Sequence, residues 1–200
     1  MCIPFNSETS DIVIQKSWKA VIEKVENGHL LSSEKTLCFL FAMEVFKQCG
    51  DNIELDFENQ CYGDQEGNSK YLDLLIQSED YRVAIEFKLP NKSEKSNSNQ
   101  TERRKAIYID LNRLLHLRCY SIKADACYFL MATNDNAYVN IQKVSKHSEC
   151  LTGHGYKFEF DNSDNHLKGI ACEFKWIGIT QDNKKQRITG KYAWLTPIKI

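Results

Sequence analysis

The chain has 200 residues, with 26 Lys and Arg against 27 Asp and Glu and a formal net charge of -1. That balance excludes a polybasic protein held to nucleic acid by bulk charge, so any such contact must come from a local patch. Three prolines and nine glycines exclude collagen-like and low-complexity chains, while 42% hydrophobic residues supply a core for a single domain over 1–200.

The first residues, MCIPFNSETSD, lack the basic start and apolar run of a signal peptide, and the longest apolar stretch, 37–43, is too short to cross a bilayer. The eight cysteines form no CxxC pair and the five histidines no i,i+4 pair, which leaves zinc and iron–sulfur sites without support. The expectation is a cytoplasmic protein, not a membrane protein, with reduced and mostly buried thiols.

In chain order, Ile14, Trp18, Val21, Ile22 and Val25 recur at helical spacing over 11–26, and Asn27-Gly28 closes that helix. Ser32 or Ser33 caps a second helix over 34–48 that ends at Cys49-Gly50. It is apolar almost all round, which predicts a helix covered on several sides. Residues 53–57 alternate as a short strand, and 59–69 form a polar loop. Segments 71–77 and 82–88 form a hairpin, and the Lys/Ser/Asn stretch 91–99 is expected to be a mobile loop. A basic amphipathic helix covers 101–118, with Ile107, Leu111, Leu114, Leu115 and Leu117 towards one side. A buried strand follows at 126–132, then a short helix or strand at 137–147, then β-structure at 156–160, 170–179 and 188–195. This order predicts an α/β fold, a mixed β-sheet flanked by helices with an extra C-terminal β segment at about 150–200.

The hairpin carries the chemistry. Pairing Gln77 with Arg82 sets Leu72, Leu74 and Ile76 against Phe87, Ile85 and Val83, an all-apolar face that a one-residue slip would destroy. The opposite face then sets Asp73 across from Glu86, with Lys88 two positions on. Directly opposed carboxylates destabilise a sheet unless a cation or a shared proton lies between them. Oxygen-only ligands suit Mg2+ or Mn2+. An amphipathic hairpin with a merely solvated polar face is the competing interpretation.

Asp73, a spacer, then Glu86-Phe87-Lys88 resembles the PD-(D/E)xK nuclease superfamily, with its restriction-endonuclease-like fold, over about 30–133. The proline that often precedes the family's aspartate is replaced by Leu72, and the C-terminal third has no assigned counterpart. The chain holds two further acid-x-Lys matches, Glu173/Lys175 and Asp182/Lys184. Pairing across 161–169 would put Lys157 rather than an acid opposite Glu173, and Asp182/Lys184 sits in a polar turn, so the first match alone has a partnered carboxylate.

The resemblance implies a metal-dependent nuclease. Asp73 and Glu86 would hold Mg2+ or Mn2+, the Phe87 carbonyl would be a further ligand, and Lys88 would orient water or stabilise developing charge. Glu34 would be the helical glutamate of the metal site, or else an acid complementing the helix dipole. Glu44 is the runner-up, an acid in an apolar helix that needs a partner. Gln100 opens the next helix, with a site-supporting role in some branches and a capping role otherwise. Arg103, Arg104, Lys105 and Arg113 would contact phosphates, or form a solvated face. Lys184, Lys185, Arg187 and Lys191 make a second basic cluster, which extends a nucleic-acid surface or keeps a turn soluble, and Tyr192 and Trp194 read as packing. The implied partner is nucleic acid, DNA before RNA, with a homodimer or a larger complex compatible. The alternative function is a non-catalytic nucleic-acid-binding or protein-interaction module on the same fold.

Overall fold

A computed structural model describes residues 2–62, 71–92, 100–119, 121, 123–140, 150–160, 171–182 and 185–200. Helix α1 (Ser10–Glu26) buries Ile14, Trp18, Val21 and Val25 of the stripe its spacing predicts, and Val13 besides, while Ile22 is half-buried. Helix α2 (Glu34–Cys49) starts where the Ser33 hydroxyl accepts the Thr36 N–H at 3.1 Å, so Ser33 is the cap. It ends at Gly50, whose φ of 60° favours glycine and where a Cβ would come within 2.9 Å of Cys2 Sγ. Strands β1 (Glu54–Asn59), β2 (Leu72–Gln77) and β3 (Arg82–Lys88) precede α3 (Gln100–Cys119), then come β4 (Ala126–Thr133) and the single-turn α4 (Asn136–Val139). The remainder is β5 (Lys157–Glu159), β6 (Ala171–Glu173), β7 (Trp176–Ile177), β8 (Ile179–Asp182), β9 (Lys185–Ile188), β10 (Ala193–Leu195) and β11 (Ile198–Lys199).

One seven-stranded mixed sheet runs in the order β1-β2-β3-β4-β10-β7, with β11 also on β4, while β5-β6 and β8-β9 are separate two-stranded ladders. The α/β class is therefore as the element order predicts. The C-terminal β segment differs in one respect: β7, β10 and β11 join the main sheet, and only β5-β6 and β8-β9 stand apart from it. The loop expected to be mobile lies mostly outside the described residues, as does most of the 137–147 element, of which α4 is the described part. Among the described residues no helix is long and apolar enough to cross a membrane. All eight cysteines are free thiols, with Cys2 and Cys119 exposed and Cys150 half-buried.

Packing groups the chain into two compact units, each assembled from separated segments. The first comprises Met1–Phe87, Arg113–Phe129 and Lys199–Ile200, and the second Lys88–Asn112 and Leu130–Ile198.

In the first unit an edge-to-face aromatic chain joins α1, α2 and β3. Trp18 meets Phe41 at 6.3 Å between ring centroids, and Phe41 meets Phe87 at 5.5 Å, all three buried. The α1 residue Asp11 accepts from the Tyr128 hydroxyl and pairs with Lys199 at 2.7 Å, which ties in β4 and the chain end. Glu44 lies in the apolar α2 and takes the ammoniums of Lys24 and Lys47, which supplies the partner its position requires. Yet α2 is not covered all round. Phe39, Met43 and Phe46, at i, i+4 and i+7, remain 56%, 39% and 40% exposed. Apolar composition states what a helix face prefers, not whether anything lies against it.

In the second unit Tyr108 of α3 packs on Phe158 and Phe174, at 5.2 and 6.2 Å, and donates its hydroxyl to the Leu151 carbonyl at 2.7 Å. The Trp176 indole donates to the Thr152 carbonyl at 2.7 Å. Asp135 caps α4 through the Ala137 N–H at 2.9 Å, and Asn140 hydrogen-bonds the Gln186 backbone in both directions, tying β9 to the end of α4.

Truncating Phe41 to Ala should remove about 3–5 kcal/mol, the usual cost of a large buried aromatic, measured by chemical denaturation. Burial raises the Glu44 carboxyl, but the Lys24 and Lys47 ammoniums outweigh it and hold it below its usual range. A depressed carboxyl stabilises above its unfolded-state pKa and loses that contribution as pH falls through its folded value. Glu44→Gln should therefore cost about 0.5–1 kcal/mol at neutral pH, the scale of a solvent-screened pair. Denaturation repeated in acid should show the two proteins converging.

Candidate functional site

The β2–β3 register is the one that apolar segregation predicts: Gln77↔Arg82, Ile76↔Val83, Leu75↔Ala84 and Leu74↔Ile85. The face carrying Leu75 and Ala84 is also buried, so it is not the solvated surface of a simple amphipathic hairpin. The ladder ends at Leu74↔Ile85, one step before Asp73 would face Glu86. There the half-buried Asp73 turns its carboxylate onto the partner strand, and its Oδ2 accepts the Phe87 N–H at 2.7 Å. A side-chain oxygen thus serves a backbone donor of β3 that must be satisfied somewhere.

Glu86 is only 3% exposed, and its Oε1 accepts the hydroxyl of the fully buried Tyr62 at 2.9 Å. The Arg113 guanidinium lies 5.4 Å from the centre of the Tyr62 ring. On the α2 side the Cys38 thiol donates to the Asp73 carbonyl at 3.7 Å. Burial pushes that thiol far up, and the negative charges of Asp73, Glu86 and Glu58 push it further, so it stays protonated.

Glu58 is a third carboxylate that the sequence did not single out. Phe57↔Leu74 and Asn59↔Leu72 leave it between them, level with Asp73 across the β1–β2 register. It is the described non-glycine residue with positive φ, at 53°, and it pairs with Lys35 at 2.7 Å. The Lys35 ammonium is held above its ordinary value by the Glu58 hydrogen bond and charge, with a smaller contribution from Asp73.

The remaining sequence candidates separate. Glu34 sits half-buried in the first turn of α2, where an acid complements the helix dipole. Among the described residues no three of His, Cys, Asp and Glu are grouped to hold a metal ion, so Glu34 is not gathered with Asp73 and Glu86 into such a cluster. Lys88 continues β3 two positions beyond Glu86 and forms an ion pair with Asp110 of α3 at 2.6 Å, with side-chain exposures of 20% and 8%. The signal for Asp110 was present in the sequence: an acid three residues after Ile107 and one before Leu111, inside the apolar stripe of α3.

Of the four basic candidates, Arg103 and Lys105 are exposed, with Arg103 donating to the Asn91 carbonyl at 3.1 Å and Lys105 pairing with Glu102 at 3.1 Å. Arg104 does not belong with them. It is 6% exposed, donates to the Ala137 carbonyl at 2.7 Å and lies over the Tyr138 ring, because its place on α3 points into the second unit. Arg113 is half-buried over Tyr62. Gln100 donates to Asp135 at 3.0 Å, a connecting role.

The rival acid-x-Lys matches are structural. Lys157 stands opposite Glu173 as the pairing argument requires, and Lys175 closes on Glu173 at 3.3 Å. Asp182 pairs with Arg187 at 3.1 Å, and Lys184 lies outside the described residues. Lys185 and Lys191 are exposed, and Tyr192 packs 5.7 Å from the buried Trp194.

Asp73 and Glu86 each supply carboxylate oxygens. That chemistry fits a hydrated magnesium or manganese ion, which needs one or two carboxylates, better than zinc.

The Asp73 to Phe87 contact can be tested without any ligand. Asp73→Asn keeps a side-chain acceptor and removes one of the gathered charges, whereas Asp73→Ala strands the Phe87 N–H. Asp73→Ala should be less stable than Asp73→Asn by about 1–3 kcal/mol, the cost of an unmet buried donor, read from denaturant midpoints. Comparison with protein-family models, curated proteins and solved structures finds no match to this chain.

Proposed function

We propose that this chain is a metal-dependent nuclease of the restriction-endonuclease-like kind, hydrolysing phosphodiester bonds of nucleic acid. The observation that carries the reading is the end of the β2–β3 ladder, where the Asp73 carboxylate takes the Phe87 N–H of the partner strand and the Glu86 carboxylate takes the Tyr62 hydroxyl. A helix before the hairpin and another between β3 and β4 agree with the element order of that fold. DNA is the favoured substrate on the strength of the Asp73…Glu86-Phe87-Lys88 pattern, with RNA the alternative.

Asp73, Glu86 and the Phe87 carbonyl would hold Mg2+ or Mn2+, with Glu34 near the start of α2 a further candidate through water. The bound ion would supply a water of lowered pKa and positive charge beside the scissile phosphate. Lys88, paired with Asp110, has the role of stabilising the negative charge that builds on the phosphate. The exposed Arg103 and Lys105 are the phosphate contacts this reading favours, and Arg113 acts beside Tyr62. The opposing interpretation, a non-catalytic binding module, draws on Lys88 and Arg104, both engaged internally.

Asp73→Asn and Glu86→Gln should each lower Mg2+-dependent cleavage of plasmid or oligonucleotide by at least about a hundredfold, the scale for losing one charge-stabilising group. Lys88→Met should do the same, but its loss also leaves Asp110 without that ammonium. It should therefore be made in the Asp110→Asn background as well as alone. No Mg2+- or Mn2+-dependent cleavage by the parent chain, with no metal-induced rise in melting temperature, would leave the binding module.

A further inference from the structure

We infer that Tyr62 is the positioning residue for the metal-binding carboxylate of Glu86, with Arg113 seating Tyr62 in turn. The inference rests on the reading of Asp73 and Glu86 as metal ligands. A glutamate reaches a cation through three rotatable bonds, so its affinity depends on what holds it in place. Ligating carboxylates are characteristically fixed by an outer hydrogen-bond donor.

Here that donor comes from the segment following β1. The Tyr62 hydroxyl donates to Glu86 Oε1 at 2.9 Å, and both residues are buried. A phenol can donate this bond whenever Glu86 is ionised, the form a cation requires. Three further features hold the phenol in place. The Lys123 ammonium donates to the carbonyl of the adjacent Cys61 at 2.6 Å. The Cys61 thiol bonds the Asn59 side chain at 2.6 Å. The Arg113 guanidinium covers the ring at 5.4 Å, and a cation against a phenol face strengthens its O–H as a donor. Asp73 is fixed by a different donor, the Phe87 N–H. The two acids are thus set independently, and loss of Tyr62 should loosen one without moving the other.

The test uses the full chain and Mn2+ as the probe. Affinity is read by isothermal titration and by the paramagnetic resonance signal of free Mn2+, for the parent, Tyr62→Phe, Arg113→Met and Glu86→Gln, each also melted without metal. Tyr62→Phe should bind Mn2+ about ten- to a hundredfold more weakly, the range for outer-shell losses, and its cleavage should recover as Mn2+ is raised to saturation. A packing role alone would lower the melting temperature and leave affinity unchanged. Equal affinity in the parent and a folded Tyr62→Phe overturns the positioning role while the metal site stands. A parent that binds Mn2+ no better than Glu86→Gln overturns the metal reading, and this inference with it. If Tyr62→Phe does not fold, Arg113→Met decides: weaker binding supports the role, and parental affinity overturns it.

Discussion

Negative charge on adjacent strands is the constraint that the donors of the first unit answer. Glu58, Asp73 and Glu86 come from three neighbouring strands, and their charges act together on the Cys38 thiol. Like charges side by side on a sheet repel. The structure answers by giving each acid a different kind of donor: the Lys35 ammonium for Glu58, a backbone N–H for Asp73 and the Tyr62 phenol for Glu86. The Lys35–Glu58 pair lies on the exposed side.

Positive charge is handled in the opposite way. Two cations that the sequence would assign to substrate contact are used inside the fold. Lys88 is drawn to Asp110, and Arg104 lies over Tyr138 with a backbone carbonyl as acceptor. Arg103 and Lys105 stay exposed on α3.

The α2 helix shows how far composition carries. Its residue Phe41 is the middle of the Trp18–Phe41–Phe87 chain, so the expectation of a helix covered on several sides is met on that side. The stripe of Phe39, Met43 and Phe46 lies open among the described residues. Hydrophobicity sets the free energy to be gained by covering a face, whereas coverage depends on where other elements pass.

By itself the sequence determined the local frame. Period-two segregation of Leu72, Leu74, Ile76, Val83, Ile85 and Phe87 specified one register, since a slip of one residue would break that all-apolar face, and the pairs from Leu74↔Ile85 to Gln77↔Arg82 follow it. The same arithmetic placed Lys157 against Glu173, and helical spacing with capping residues located α1, α2 and most of α3. Tertiary structure alone decided that Tyr62 meets Glu86, that Asp110 meets Lys88, that Arg104 is buried, that Glu58 stands level with Asp73, and that the C-terminal strands complete the main sheet. Periodicity reports which side of its own element a residue occupies. These contacts join elements whose approach is set by long-range packing, in units built from interleaved stretches of chain, and no local pattern encodes that.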